Sequence, residues 1–218
     1  MTSRLFAAAF FTGILSCCTV NADWTRFRGD NGQGVIEQCK VPLPWADSDV
    51  AWKIDLPGKG NGSPIVFGNK VFIMSAEAES NRYALAFDLT SGKELWRKSF
   101  ATGKHRVHAK SSYASSTPCA NSNAVFFAFA SSENLTVKAF THDGVELWTK
   151  DFGRYISAHG FGGSPILVDD KLILSNNQDA EELPANVAPG DSSIVALNVK
   201  TGDIIWETPR KSVRTCYG

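Results

Sequence analysis

The residues best suited to chemistry in this sequence lie in a short basic stretch, residues 104–110, and just after it. Its candidate side chains are His105, Arg106, His108, Lys110 and Tyr113. Guanidinium and ammonium groups bind carboxylates through charge-assisted hydrogen bonds. The stretch therefore predicts a binding site for a small anionic ligand or for an acidic segment of a partner protein.

A second stretch, residues 154–159, ends at His159 and occupies the corresponding place one repeat further along the chain. Neither stretch contains a nucleophile close to both a base and an orienting carboxylate, so no catalytic triad is predicted. The acidic residues 179–182 lie in a long insertion and are interpreted as a solvated loop. The sequence thus favours binding over catalysis and leaves enzymatic activity open.

The elements that position these stretches repeat along the chain. A glycine followed four residues later by a tryptophan occurs at Gly92–Trp96, Gly144–Trp148 and Gly202–Trp206. With Trp52, the tryptophans are separated by 44, 52 and 58 residues. An element that returns at such a period is typical of an array of like units. The tryptophans are interpreted as packing residues.

Each unit begins with a hydroxyl residue and a proline, at Ser63–Pro64, Thr117–Pro118 and Ser164–Pro165. Proline at the start of a strand costs no ladder hydrogen bond. A turn rich in Asn, Gly and Asp separates this apolar run from a second one, as in a hairpin. A third run precedes each glycine, and a fourth contains the tryptophan.

Four strands per unit predict an all-β fold, a partial β-propeller of four-stranded antiparallel blades. The blades are predicted over residues 63–100, 116–152 and 164–209, within a domain that covers residues 23–218. Trp52 is predicted to lie on an N-terminal outer strand that has no blade in front of it.

This architecture brings the two candidate stretches together. In a propeller, the connection from an outermost strand to the next innermost strand crosses one face toward the central channel. We therefore expect residues 104–113 and His159 to gather at one mouth as a basic, histidine-containing rim. The alternative is that both stretches are solvated loops between blades.

Residues 1–22 are predicted to be a secretory signal peptide, with Arg4, an apolar run of 11 residues and a small-residue end at Ala22. The run is too short to span a bilayer. An alternative is a lipoprotein signal, which would place a lipid anchor at Cys17 or Cys18. Either route predicts an exported chain, in the periplasm or outside the cell.

Charge and cysteine content exclude some function classes. The 22 basic and 22 acidic residues balance, which gives no indication of nucleic acid as a partner. After the predicted signal peptide, Cys39, Cys119 and Cys216 remain, and their spacing indicates no metal site. They allow one disulfide at most or three buried thiols, and the sequence does not decide the pairing.

The Ala51–Trp52 pair, the Gly-x-x-x-Trp turns and the Ser-Pro openings resemble the repeats of the quinoprotein-like β-propeller family, also called the pyrroloquinoline quinone repeat family. Trp24, Phe27 and Gly29, followed by the blade openings, are similar to the large secreted bacterial branch common in planctomycete-type genomes. The resemblance covers residues 24–218 and is specific for fold but weak for function.

The resemblance implies one of two functions. Some members are dehydrogenases that bind pyrroloquinoline quinone on a calcium ion, using vicinal cysteines, a set of oxygen ligands and a catalytic aspartate. Others, such as the outer-membrane-assembly lipoprotein, lack the cofactor site and act as binding scaffolds. In this chain the only adjacent cysteines, Cys17 and Cys18, lie in the predicted signal peptide, and no cluster resembles a calcium ligand set. A non-catalytic scaffold without cofactor is favoured, and the N-terminal part of a quinone-dependent dehydrogenase is the alternative.

Three whole blades are fewer than the four to eight of closed propellers. The resemblance therefore implies a truncated family member, an open arc with uncovered sheet faces. Such edges and faces predict association or poor solubility of the chain by itself.

Overall fold

The computed structural model describes residues 23–36, 42–77, 80–131, 133–179, 181, 183 and 185–215. The predicted signal peptide, the possible lipid-anchor cysteines Cys17 and Cys18, and Cys39 and Cys216 lie outside the described residues. Cys119 is buried and is a free thiol. Among the described residues, no helix has the length and apolar character needed to cross a membrane.

Twelve strands form three separate four-stranded antiparallel sheets, which confirms the all-β partial propeller. The first blade contains β1 (Ile65–Phe67), β2 (Lys70–Ala76), β3 (Asn81–Asp88) and β4 (Glu94–Ala101). The second contains β5 (Cys119–Ala120), β6 (Val125–Ala130), β7 (Leu135–Phe140) and β8 (Glu146–Asp151). The third contains β9 (Ile166–Val168), β10 (Lys171–Asn176), β11 (Ser192–Asn198) and β12 (Ile204–Arg210).

The strands of each blade pair in sequence order, so local hairpins build each sheet. Turn residues at the predicted positions make this possible: Gly92, Gly144 and Gly202 all have positive φ, from 70° to 83°. Glycine adopts this conformation without the steric penalty that a Cβ brings. The only helical element among the described residues is a 3₁₀ turn, Asp47–Asp49.

The tryptophan of one unit packs on the glycine of the next. A methyl group on Gly92 would come within 2.7 Å of the Trp52 ring, and one on Gly144 within 2.9 Å of the Trp96 ring. The Trp148 ring lies equally close to Gly202, 2.6 Å from such a methyl group. These glycines are therefore needed both for the turn and for the close approach of an indole ring.

Each of these indoles also donates one hydrogen bond to the next unit. Trp52 Nε1 donates to the Leu89 carbonyl (2.8 Å), and Trp96 Nε1 donates to the His142 carbonyl (2.9 Å). Trp148 Nε1 donates to the Val199 carbonyl (3.0 Å). A buried indole N–H needs such an acceptor, so the same pair of contacts fixes three successive junctions.

The prediction of an N-terminal outer strand at Trp52 is wrong. Residues 50–56 form no strand, although Trp52 lies where the tryptophan of a preceding blade would lie. Trp52, Ile54 and Leu56 pack on the buried face of the first blade. Apolar side chains hold this segment in place, because no neighbouring strand offers it a ladder.

Residues ahead of the first blade also pair with the innermost strands. Trp24 exchanges two backbone hydrogen bonds of 2.9 Å with Val66 in β1, and the Thr25 carbonyl accepts one from Ala120 N in β5 (2.9 Å). The Asp23 carboxylate accepts a hydrogen bond from Gly68 N (2.8 Å). This stretch therefore bridges the first two blades on the channel side and brings Phe27 to the mouth.

Candidate functional site

The connections between blades, residues 102–118 and 152–165, meet as the repeat predicts. His108 N donates to the His159 carbonyl (3.2 Å), and the two imidazole rings lie 5.5 Å apart between centroids. Gly160 has φ +88°, and a methyl group there would come within 2.7 Å of Val107 Cγ1. Glycine at this position thus allows the two connections to touch and places two imidazoles side by side.

A cavity of about 240 Å³ opens between these connections and the N-terminal stretch. We call it the mouth cavity; its lining includes Phe27, Asn61, Lys110 and His159. The remaining wall is rich in hydroxyl groups, from Ser111, Ser115, Thr117 and Ser164. Asn61 Nδ2 donates to the Lys110 carbonyl (3.2 Å), which fixes the backbone from which the Lys110 side chain extends. The cavity presents hydrogen-bond donors and one cation to a ligand.

A second cavity, of about 300 Å³, lies behind the same connections. We call it the side cavity; Arg106 and Arg154 line it together with apolar groups of Ile156, Leu183 and Val187. Arg154 Nη2 donates to the Ala188 carbonyl (3.1 Å), so its guanidinium is held at the edge of the insertion. Two guanidinium groups beside apolar walls suit a ligand with both a carboxylate and an apolar part.

Asp179 also lines the side cavity, and it corrects the prediction of a solvated acidic loop. Its side chain is buried, and its carboxylate accepts hydrogen bonds from Ala158 N (2.5 Å) and Thr215 N (2.6 Å). These bonds tie the insertion to the connection 152–165 and to residues after β12. Asp179 therefore has a structural role, since backbone N–H groups already occupy both of its oxygens.

Two predicted rim residues lie behind the rim. The Tyr113 hydroxyl donates to the His105 carbonyl (2.7 Å), and the two rings meet edge to face at 4.8 Å between centroids. The Arg82 guanidinium stacks on the Tyr113 ring, with its Cζ atom 4.2 Å from the ring centroid. His105, Tyr113 and Arg82 thus form a partly buried stack that supports the connection, while Arg106, His108 and Lys110 are exposed.

Burial, and then the charge of Arg82, lower the pKa of His105 from 6.5 to about 4. Burial lowers the pKa of Arg82 itself to about 10, so this guanidinium keeps its charge at neutral pH. A neutral imidazole beside a buried cation avoids the repulsion that two positive charges would suffer.

Sequence reasoning missed Arg82. It lies in β3, is fully buried, and donates from Nη1 to the Glu77 and Asn81 carbonyls (3.2 and 3.4 Å). Among the described residues, its Nε and Nη2 atoms have no hydrogen-bond partner. A single arginine at the start of an otherwise apolar strand is the signal that could have indicated it.

Within the part of the chain that the structure describes, no three His, Cys, Asp or Glu side chains lie close enough to hold a metal ion. Calcium requires six to eight oxygen ligands. The residues that do converge are instead basic and aromatic.

Comparison with known proteins agrees with this fold. Residues 43–137 match the sequence profile of the family described as outer membrane protein assembly factor BamB. No curated protein matches the sequence significantly.

Two solved structures share the fold. Quinohemoprotein alcohol dehydrogenase from Comamonas testosteroni is 14% identical, with a TM-score of 0.57, over 86% of this chain and 27% of that one. A europium-containing methanol dehydrogenase is 15% identical, with a TM-score of 0.51, over 70% of this chain and 25% of that one.

BamB from Moraxella catarrhalis is 18% identical, with a TM-score of 0.44, over 72% of this chain and 54% of that one. The chain thus spans about a quarter of the dehydrogenases and about half of BamB. The secreted bacterial branch stays a prediction. The family match over residues 43–137 and the fold of the chain are consistent with the pyrroloquinoline quinone repeat propeller family.

Proposed function

We propose that this protein is a non-catalytic β-propeller scaffold that binds an acidic segment of a partner protein at the basic rim formed by Arg106, His108, Lys110 and His159. The observation that carries the proposal is the convergence of two inter-blade connections around two cavities. Both cavities are lined by cationic side chains, Lys110 in one and Arg106 with Arg154 in the other.

The charge distribution supports this proposal. The whole chain is neutral, yet among the described residues Arg106 and Lys110 form no ion pair. Among the other cations, Lys70 is paired with Asp143 and Arg97 with Glu94. Unpaired cations at the edge of a cavity attract an acidic partner and speed its association.

The dehydrogenase alternative has weaker support. The likeness to the two dehydrogenases concerns fold alone, and one fold hosts many functions. The matched family profile, in contrast, describes an assembly factor, which is a protein that acts on other proteins. The rim therefore suggests a protein partner rather than a redox cofactor.

The test is the binding of a fluorescein-labelled peptide of alternating Glu and Gly, followed by fluorescence anisotropy. Replacing Arg106 and Lys110 together by alanine should weaken binding by at least about tenfold, which corresponds to about 1.4 kcal/mol. Adding His108→Ala should weaken it further.

A matched control is the pair Lys93→Ala and Lys200→Ala. These exposed lysines lie in the β3–β4 and β11–β12 turns, at the end of the strands opposite the rim. This variant has the same net charge as the rim variant and should bind like the wild type. An equal loss of peptide affinity in both variants would show non-specific attraction. If the rim variant loses no affinity, Arg106 and Lys110 are solvated loop residues without a binding role.

We also infer that the protein acts outside the cytoplasm, on the strength of the signal-like residues 1–22. N-terminal sequencing of the mature chain should start at Asp23. A start at Cys17 or Cys18 would indicate the lipid-anchored route instead.

A further inference from the structure

The side cavity differs from the mouth cavity in the surface that it offers to a ligand. Serine and threonine hydroxyl groups are prominent in the mouth cavity, whereas apolar groups are prominent in the side cavity. Its walls are formed by Tyr155, Ile156, Ala158, Leu183 and Val187. Small-molecule sites are typically apolar clefts with a few polar groups that fix the orientation of the ligand. The side cavity has this composition.

The charged and apolar groups of the side cavity lie at different depths. Arg106 and Arg154 are exposed, so their guanidinium groups lie at the entrance, next to water. Ile156 and Val187 are half-buried, and Asp179 is buried. A ligand that enters from water therefore meets the two cations first and the apolar walls behind them.

Hydrogen bonds hold both the entrance and the inner wall in place. At the entrance, Arg154 Nη2 donates to the Ala188 carbonyl (3.1 Å). At the inner wall, Ile156 N donates to Gln178 Oε1 (3.1 Å), and the Ile156 carbonyl accepts a hydrogen bond from Asp179 N (2.9 Å). The cavity is thus preorganised, which reduces the entropy that is lost when a ligand binds.

The charge of the side cavity matches a ligand with one negative charge. Arg106 and Arg154 are positive, and neither forms an ion pair with another residue in the described part of the chain. Asp179 is the acidic residue of the lining, and His105, with a pKa of about 4, is neutral at pH 7. A second anionic group on the ligand, placed deeper in the cavity, would meet the buried Asp179 carboxylate, and like charges repel.

We propose that the side cavity binds a hydrophobic monocarboxylate, with its carboxylate between Arg106 and Arg154 and a short apolar tail against Ile156 and Val187. Guanidinium groups bind carboxylates through charge-assisted hydrogen bonds, and the tail gains from leaving water. The cavity holds about 300 Å³. At about 30 Å³ for each water-sized group, it has room for about ten non-hydrogen atoms, the size of a branched acid of about six to eight carbons. A C-terminal leucine, isoleucine or valine of a peptide has the same chemistry.

This inference shares Arg106 with the proposed rim, but it does not require the rim to bind an acidic segment. The rim attracts several negative charges to exposed cations, whereas the side cavity takes one carboxylate and covers an apolar tail. Variants of the cavity that keep Arg106 and Lys110 therefore separate the two proposals.

The test is a titration of the protein with isocaproate at neutral pH, followed by ligand-observed NMR. Along the series acetate, propanoate, butanoate and isocaproate, affinity should rise by up to about fourfold for each added carbon, because each further carbon leaves water. Beyond about eight carbons the affinity should stop rising, since the cavity is then full. Isocaproamide, which has no charge, and adipate, which has a second carboxylate at the far end, should each bind at least about tenfold more weakly.

Two variants test the residues of the cavity. Arg154→Ala should weaken isocaproate binding at least about tenfold. Ala158→Leu fills the cavity without removing a charge, so it should abolish isocaproate binding and leave the binding of the Glu and Gly peptide unchanged. The matched control for the lost charge is Lys93→Ala, at an exposed lysine in the β3–β4 turn, which should bind isocaproate like the wild type.

A further variant covers the case in which Arg154→Ala changes the circular dichroism spectrum because the bond to Ala188 is lost. Arg106→Ala then provides the same test at an exposed side chain. Loss of peptide binding with intact isocaproate binding would refute the rim alone. The source of the ligand is tested with N-acetylglycylleucine: tighter binding than isocaproate assigns the site to a peptide C terminus, weaker binding assigns it to a free acid, and either result supports the proposal.

Three results would overturn the proposal. The first is that isocaproate does not bind to the folded wild type. The second is an affinity that does not depend on the length of the tail. The third is binding that survives both Arg154→Ala and Ala158→Leu, which would place isocaproate elsewhere on the protein.

Discussion

The second and third blades have the same repeat sequence, yet their inner strands are buried differently. All six residues of β6 are buried, whereas in β10 buried and half-buried residues alternate. The second blade has a blade on each side, and the third has one only on the side of the second. Burial in this fold is thus a property of the junction between blades, and it cannot be assigned to a single repeat.

The first blade shows how little is needed to cover a face. Its side away from the second blade packs on Trp52, Ile54 and Leu56, which belong to one extended segment without ladder hydrogen bonds. This segment buries Val71, Leu85 and Phe87, and Tyr83 with them. A single stretch with three apolar side chains therefore covers one face of the first blade, whereas a whole neighbouring blade covers each face of the second.

The largest effect expected from this comparison comes from equivalent core positions. Phe126→Ala removes a ring that is completely buried and lies 5.8 Å from Trp148. It should lower the free energy of unfolding by about 3–5 kcal/mol. Ile173→Ala, at the matching position of the third blade, should lower it by only about 1 kcal/mol, since water already reaches this half-buried side chain.

Urea unfolding of both variants at several protein concentrations checks this prediction. If Ile173→Ala lowers the free energy of unfolding as much as Phe126→Ala, the side of the third blade that carries Ile173 is covered in solution. A dependence of that cost on protein concentration would then identify self-association as the cause.

The blades were predictable because local chemistry forms them. The predicted start positions 63, 116 and 164 lie within three residues of the observed strands, since prolines, turn residues and apolar runs define hairpins locally. The Gly-x-x-x-Trp spacing was visible as well. The packing role of this spacing could not be predicted, because each glycine contacts the tryptophan of the preceding unit and not the tryptophan four residues later.

The candidate site was predictable in part. The sequence placed the two connections together because both follow an outermost strand. It could not distinguish exposed Arg106 from half-buried His105, since the direction of each side chain depends on packing against Tyr113 and Arg82. Arg82 and Asp179 were missed because their burial depends on loops far away in sequence: Arg82 meets Tyr113, and Asp179 meets Thr215.

A second, smaller effect is expected from acid at the junction of the first and second blades. His105 has a pKa of about 4 in the folded chain, against 6.5 when unfolded, because burial and the charge of Arg82 disfavour its protonated form. Between these values the unfolded chain binds more protons, so stability falls as the pH drops from about 6.5 to 4. The ring is only partly buried, and solvent screening reduces the effect.

The variant His105→Gln should flatten this part of the pH profile of the melting temperature. Tyr113→Phe is the control, because it removes the hydroxyl bond to the His105 carbonyl but keeps the ring that shields the imidazole. Its profile should keep the wild-type slope at a lower overall melting temperature. An unchanged slope in His105→Gln would show that another group is responsible.

The smallest effect is expected at the surface of the same junction, where Lys70 of the first blade meets Asp143 of the second, with Nζ and Oδ1 2.5 Å apart. The hydrogen bond from Lys70, and then its charge, lower the pKa of Asp143. The Asp143 side chain is 85% exposed, however, so water and salt screen the pair. Lys70→Met should lower the melting temperature by no more than about 2 °C, and this difference should vanish in about 1 M salt.

The comparison variant is Lys171→Met in the third blade, which breaks the pair with the adjacent residue Asp170 (2.6 Å). That pair joins no two blades, so its loss should leave the melting temperature unchanged at any salt concentration. If Lys70→Met instead destabilises the chain as much as Phe126→Ala, the junction depends on charge more than on the burial of aromatic rings. Electrostatic pairing, and not burial, would then explain why the second blade is held more firmly than the third.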